Sequence, residues 1–347
     1  MQYRTKKILS SKLRRAIRWE FWPMWLFYIP LVFYAIYLAI RFRGLTFLSV
    51  NPGLPMSGLI GERKAQSLLQ LKGSPYLARY ELLDSIPSID KRSKQAKAIM
   101  VNLGVDYPVV LKPDFGQRGA DVAVIRNDIE LRTYLQKTRT SVLVQEYIGG
   151  EEFGVFYMRY PMEERSLVYS ITEKTFPVVV GDGKSTLEEL LMSNSRTHYM
   201  AEFLLELHKD KLTKVFRVGE EFKVVEIGSH CRGSVFLDGN QYITPELEKT
   251  IDDMSQKIEG FNFGRYDIRV ENASLLSDGK GIKVLEVNGV TSESTNMYDP
   301  NNSVLDAYKV LFRQWREAYE IGDQAIKKGA KAVSLFGFFQ HLKKTYW

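Results

Sequence analysis

Two short segments in the C-terminal third carry the residues best suited to chemistry: Gly264-Arg265-Tyr266-Asp267-Ile268-Arg269-Val270 and Val284-Leu285-Glu286-Val287-Asn288-Gly289. Each reads as a strand, and the turn-rich stretch from Asn272 to Gly281 suits an antiparallel connection. Side chains on a strand repeat every second residue, so Asp267, Glu286 and Asn288 can share one face of such a pair. Two carboxylates and an amide oxygen form a hard oxygen set of the kind Mg2+ takes when it also holds phosphate. The competing reading is a hairpin with a solvated acidic face.

Other segments could meet a phosphorylated ligand. Val109 to Pro113 places Lys112 at a strand end, beside an Asp114–Gly119 loop that contains Gly116 and Gly119. A lysine there can act as a point charge on phosphate while loop amides bind further oxygens. Alone, the segment equally suits a β-turn with a surface lysine. Gln145-Glu146-Tyr147-Ile148-Gly149-Gly150-Glu151-Glu152-Phe153 sets carboxylates where they could accept from ribose hydroxyls or an adenine amine, or simply form a solvated turn. Lys174 follows the Leu167–Thr172 strand and either reaches the same ligand or lies on the surface. Gly181-Asp182-Gly183-Lys184-Ser185-Thr186 is not a P-loop, because the first glycine of that motif would fall at Val178.

The elements that must position these residues follow from pattern. Lys91–Leu103 reads as a helix stopped at Gly104, and Tyr107–Lys112, Val122–Ile125 and Ser141–Tyr147 read as strands. Asn127 or Asp128 caps a helix to about Lys137, and a further helix begins near Thr186. Phe153–Arg159 and Leu167–Thr172 read as a hairpin. The mixture is α+β with an open sheet. Residues 45–75 read as a Gly/Pro-rich linker opening into a helix.

Charge is unevenly placed. The net charge is +7, yet residues 1–44 hold nine Lys/Arg against Glu20 alone, which leaves the body at −1. That distribution argues against nucleic acid as a partner, because such a surface needs basic residues on the folded body. Cys231 is the only cysteine, so intrachain disulfides and cysteine-built zinc sites are excluded.

Phe21–Ile40 is uncharged, strongly apolar and long enough for a membrane segment. Arg41 and Arg43 follow it directly, which does not suit a cleavable leader. Seven basic residues between Arg4 and Arg18 belong in the cytoplasm by the positive-inside rule. A single span would then carry the body outside, whereas kinks at Pro23 and Pro30 would allow a re-entrant or shallow anchor with both flanks cytoplasmic. The expectation is a membrane-bound protein with its body on the cytoplasmic face and lipids as partners. A single span with the basic flank outside is the competitor. Ala325–Trp347 mixes five lysines with apolar residues and reads as an interfacial helix or as a helix docked on the body.

In their order these segments resemble the ATP-grasp superfamily of carboxylate–amine ligases, over about residues 60–310. The resemblance leans toward the branch of cyanophycin synthetase, glutamate–cysteine ligase and D-alanine–D-alanine ligase-like enzymes, through Val178–Leu187, Val218–Phe222 and on through Arg232-Gly233 to Asp238. It implies an ATP-grasp fold of two α+β subdomains clasping ATP, behind the N-terminal hydrophobic membrane segment. It divides the chain into a basic arm and anchor (1–44), a linker and helical lead-in (45–100), the ATP-grasp domain (101–310) and an amphipathic helical tail (311–347). It implies ATP with Mg2+, or Mn2+, at Asp267, Glu286 and Asn288. It gives Lys112 to the nucleotide, Gly116 and Gly119 to the lid loop, Glu146 to the adenine hinge and Glu152 to the ribose. Arg265 would contact phosphate, Arg232 would lie near the phosphates, and Lys64 would be the second nucleotide lysine. The implied activity is a membrane-associated ligase that activates a carboxylate as an acylphosphate and joins it to an amine, on small-molecule or lipid-linked substrates. A phosphotransferase and a non-catalytic ATP-binding scaffold are the alternatives. The chain departs from the branch at Ser229–Gly233 and at Gly289–Glu293, near the acceptor pocket, so the family's substrates do not carry over. His230 and Cys231 are either site groups or packing.

Overall fold

The computed structural model describes residues 8, 10–11, 15, 17–59, 63–116, 119–163, 165–228, 230 and 233–346. Their strands are β1 (Tyr80–Leu83), β2 (Val109–Pro113), β3 (Ala123–Ile125), β4 (Val142–Glu146), β5 (Glu151–Tyr160), β6 (Arg165–Thr175), β7 (Val178–Val180), β8 (Glu221–Lys223), β9 (Val235–Asp238), β10 (Phe263–Val270) and β11 (Lys283–Asn288). They form an antiparallel sheet β1-β4-β2-β3, a second in the order β11-β10-β5-β6-β9, and the pair β7-β8. β1 lies in the stretch expected to be linker and helical lead-in; four residues with only one fully apolar pair, Leu82-Leu83, give no legible strand pattern.

The first sheet is backed by the helices Ile89–Leu103 and Asp128–Lys137, which seal Ile99, Met100, Leu131 and Leu135 against Val109, Leu111, Val142 and Val144. The first helix starts where the Ser88 side chain accepts from the Lys91 amide, and stops at Gly104 in the left-handed region. The second is capped by Asn127, which accepts from the Glu130 amide. Both caps satisfy amides the helix cannot pair itself.

β5 is buried almost throughout because both faces of the second sheet are covered. Phe153, Val155 and Tyr157 meet the Pro245–Ser255 helix side, and Phe156, Met158 and Tyr160 face the opposite cluster, which includes Leu38, Phe47 and Tyr319. Sequence alternation thus splits one strand between two cores.

The N-terminal apolar run departs from expectation. It forms two helices, Met24–Phe27 and Ile29–Arg41, and Pro30 sits in the first turn of the second. Proline there removes no helical hydrogen bond, so it starts the helix instead of kinking a span. Thirteen residues reach about 20 Å, short of a hydrocarbon core of about 30 Å. Among the described residues no helix is long and apolar enough to cross a membrane. Both helices lie against Val304–Lys327 instead: Tyr34 packs on Phe312, Phe27 stacks on Tyr308, and the Tyr319 hydroxyl donates to the Ala35 carbonyl. Leu31 and Leu38 are buried, whereas Trp25 and Phe33 are 71% and 69% exposed on the outer face. The Leu335–Tyr346 helix packs through Phe338 beside Leu38 and leaves Phe336 and Phe339 exposed.

Candidate active site at the junction of the two sheets

The register of β10 and β11 puts Asp267 opposite Glu286 and Arg265 opposite Asn288. All four side chains therefore share the face that looks toward β2. Lys112, near the end of β2, donates to the Leu285 carbonyl over 2.8 Å, and the Gln145 amide donates to the same oxygen over 3.2 Å. Two side chains of the first sheet thus anchor on the backbone of β11, and the gap beside them is a cavity of about 1210 Å3.

Lys64, Lys112, Gly116, Gly119, Glu146, Glu152, Lys174, Arg265, Asp267, Glu286 and Asn288 all line that cavity. Arg232, Cys231 and the loop residues Gln117 and Arg118 lie outside the described residues. Lys64 opens the helix Lys64–Leu69, and its Nζ donates to the Gly116 carbonyl over 2.5 Å and stands 3.5 Å from Glu286 Oε1. The Asp114 carboxylate fixes the helix to the loop by accepting from the Ala65 amide at 2.9 Å. Gly119 has φ +68, which a side chain would strain.

One charge network runs across the second sheet. Lys174 Nζ lies 3.2 Å from Glu152 Oε1 and 3.0 Å from Asp267 Oδ1. Arg265 Nε donates to Asp267 Oδ1 over 2.9 Å. Arg269 donates to Glu152 Oε2 through Nε and a terminal nitrogen at 3.1 and 2.9 Å, and to the Ile148 carbonyl at 2.6 Å. Burial would raise the Asp267 carboxyl, but Arg265 and Lys174 outweigh it and hold it below the carboxylate range. Lys112 goes the other way: burial pushes its ammonium down to about 8, Glu286 opposing and Lys64 assisting. The pocket thus keeps Lys112 ready to gain a charge partner.

Asp267, Glu286 and Asn288 fit Mg2+ by donor type, being two carboxylates and an amide oxygen. Among the described residues no cluster of three or more His, Cys, Asp or Glu is close enough to hold a metal alone. This set needs phosphate oxygens to complete a shell. Glu146 accepts from Arg79 at 2.7 Å, and that pairing holds its carboxyl below the usual range. Its side chain is therefore committed to Arg79, within the stretch Gln145–Ile148 that lines the cavity.

Some contributors carry little or no signal in the sequence. Arg269 continues the i, i+2 series from Arg265 and Asp267 on β10, a spacing that could have flagged it. Gly228 has no such signal; a Cβ there would stand 1.9 Å from Glu152 Oε1. Glu20, the one acid of the N-terminal arm, lines the cavity and accepts from Arg196 at 3.2 Å and from His230 Nε2 at 3.0 Å. Burial opposes its charge, but these partners hold its carboxyl below the usual range. His230 also stacks between Phe21 and Tyr298, so it joins the arm to the site.

Residues 70–159 match the family model of the RimK-like ATP-grasp domain. Over those residues the chain is of the ATP-grasp type, and its α+β fold agrees with that match. No curated protein matches the sequence. Solved structures similar to it include D-alanine–D-alanine ligase from Bacillus anthracis, at 15% identity over 79% of this chain and 72% of that one, with a TM-score of 0.44. VanG D-Ala:D-Ser ligase from Enterococcus faecalis is 14% identical over 77% of this chain and 61% of that one, with a TM-score of 0.40. A bifunctional glutathione synthetase from Pasteurella multocida is 14% identical, with a TM-score of 0.38; 76% of this chain spans 38% of that one.

Proposed function

We propose that the protein is a membrane-associated, ATP-dependent carboxylate–amine ligase working on the cytoplasmic face. The observation that carries this reading is the convergence of Lys64, Lys112, Lys174 and Arg265 on the Asp267–Glu286–Asn288 face, inside one cavity. Four cations around two carboxylates suit a polyphosphate that arrives with a divalent cation. Mg2+, or Mn2+, held by Asp267, Glu286 and Asn288 would neutralise charge on the phosphates. Lys112 and the Asp114–Gly119 loop hold phosphate oxygens, Glu152 takes the ribose, and the segment Gln145–Ile148 borders the base. Arg265 faces the transferred phosphoryl group.

In the proposed reaction a substrate carboxylate oxygen attacks the γ-phosphorus, the bond to ADP breaks, and an acylphosphate forms. An amine nitrogen then bonds to the carbonyl carbon, phosphate leaves with the electron pair, and the nitrogen releases a proton. Positioning and charge supply the catalysis, so no protein nucleophile is needed. Membrane association is supported by the apolar outer face of Ile29–Arg41 and by exposed Phe336 and Phe339. Those faces suit attachment in the plane of the interface. The domain division expected from sequence carries into the proposal with one change: β1 and Lys64, inside 45–100, belong with the ATP-grasp part.

The test counts ADP, phosphate and hydroxamate from full-length protein given Mg2+, ATP, pooled carboxylates and hydroxylamine. Hydroxamate that depends on ATP supports the acylphosphate. A phosphorylated product without hydroxamate identifies a phosphotransferase, and ATP binding without turnover identifies a scaffold.

A further inference from the structure

The cavity does not end at the phosphate site. Past Arg265 it continues into a chamber walled by Trp19, Trp22, Met24, Phe27, Tyr28 and Tyr298. Most of that wall comes from the N-terminal apolar run. The same run turns Trp25, Ile29 and Phe33 outward, so one element has an apolar face in the cavity and another outside it.

One group in this chamber stands apart. Among the described residues seven acids line the cavity, and six of them have a Lys or Arg within 4 Å. Glu293 has no ion pair among the described residues. Its Oε2 accepts from the Tyr298 hydroxyl at 3.0 Å, and its buried Oε1 has no hydrogen-bond partner among the described residues. Its backbone is fixed, because Arg265 donates to the Glu293 carbonyl over 2.9 Å. Burial pushes the carboxyl up to about 7, the mark of a site that lacks a cation. A buried acceptor left unmade is costly, so it is expected to have a use.

We propose that this chamber is the acceptor subsite and takes a primary amine bearing an apolar chain, the ammonium against Glu293 and the chain among Trp22, Met24, Phe27 and Tyr28. The inference rests on the ligase reading and names its amine substrate class. A carboxylate beside aromatic rings selects a cation with apolar substituents over an anion. The outward apolar face of the same segment would let such an amphiphile arrive from a lipid surface.

The test is calorimetric titration of full-length protein, loaded with ADP and Mg2+, with butylamine, octylamine and 1-octanol. Each buried methylene strengthens binding about threefold to fourfold, so octylamine should bind roughly 100-fold tighter than butylamine. It should also bind at least about tenfold tighter than 1-octanol, the scale of one charge-assisted contact. Glu293→Gln should abolish the preference for the ammonium and Glu293→Asp should retain it. Met24→Asp, at a half-exposed position, should flatten the chain-length dependence. No gain with chain length, no binding of either amine, or an ammonium preference unchanged in Glu293→Gln would overturn the proposal. ADP affinity in the same samples separates the two readings. If wild type fails to bind ADP, the ligase assignment falls with it; if ADP binds without ammonium preference, only the subsite falls.

Discussion

Lys174 Nζ reaches Asp267 Oδ1 over 3.0 Å, although β5 lies between the strands that carry them. Gly154 on that middle strand pairs with Asp267 and leaves the track open; a Cβ there would come within 3.0 Å of the Arg265 side chain. The carboxylate that would hold a cation is thus already held by two cations of the protein. A divalent ion arriving with phosphate would have to share or replace them, which ties metal binding to nucleotide binding.

Asp267→Asn should reduce Mg2+-dependent ATP turnover by at least about 100-fold, the scale of losing one preorganised electrostatic group. It should also destabilise the protein by about 3 kcal/mol, because buried Arg265 loses its counter-charge and Lys174 keeps only Glu152. Steady-state ADP release and chemical denaturation check both. Full turnover would remove Asp267 from the site.

Lys112 supplies a pH dependence with a definite sign. Its folded-state value is about 8, below the ordinary 10.5, so between those values the unfolded chain binds more protons. The nucleotide-free protein should therefore gain stability from this group as pH rises from about 8 to about 10.5. Nucleotide phosphates favour the charged ammonium, so ATP affinity should fall as pH rises through about 8. Lys112→Met should flatten both profiles, measured by denaturant titration and by nucleotide titration from pH 7 to 10.

Gly228→Ala places a methyl 1.9 Å from Glu152 Oε1 and 2.9 Å from the Lys174 side chain. It should weaken nucleotide binding about tenfold by moving Glu152, and cost about 1–3 kcal/mol as overpacking. Gly149→Ala is the control, since nothing lies within 4 Å of its Cβ. Equal nucleotide affinity for the two variants would show that the close approach at Gly228 does not set the site.

Leu38 and Phe33 separate docking from attachment. Leu38 is 0% exposed and Phe33 69%. Leu38→Asp should destabilise the fold by at least about 3 kcal/mol, because a charge is buried without a partner. Phe33→Asp should leave the unfolding midpoint nearly unchanged and reduce co-sedimentation with liposomes. Undiminished co-sedimentation would remove this face from the membrane contact.

The sequence by itself determined a good part of this protein. Period-two spacing placed Asp267, Glu286 and Asn288 on one face, and the register of β10 with β11 keeps them there. Capping residues set helix ends at Gly104, Asn127 and Thr186 because those signals are local hydrogen bonds and backbone preferences. Hydropathy marked residues 21–40 as apolar, but it does not record what the apolar surface meets. Only the tertiary structure decided that Leu31 and Leu38 lie against a helix nearly 300 residues away in sequence, while Phe33 does not. It also decided that Arg269 pairs with Glu152, that Glu146 is held by Arg79, and that Glu293 has no cation beside it among the described residues. Those outcomes depend on which side chains long-range packing brings together, and no local pattern along the chain encodes that.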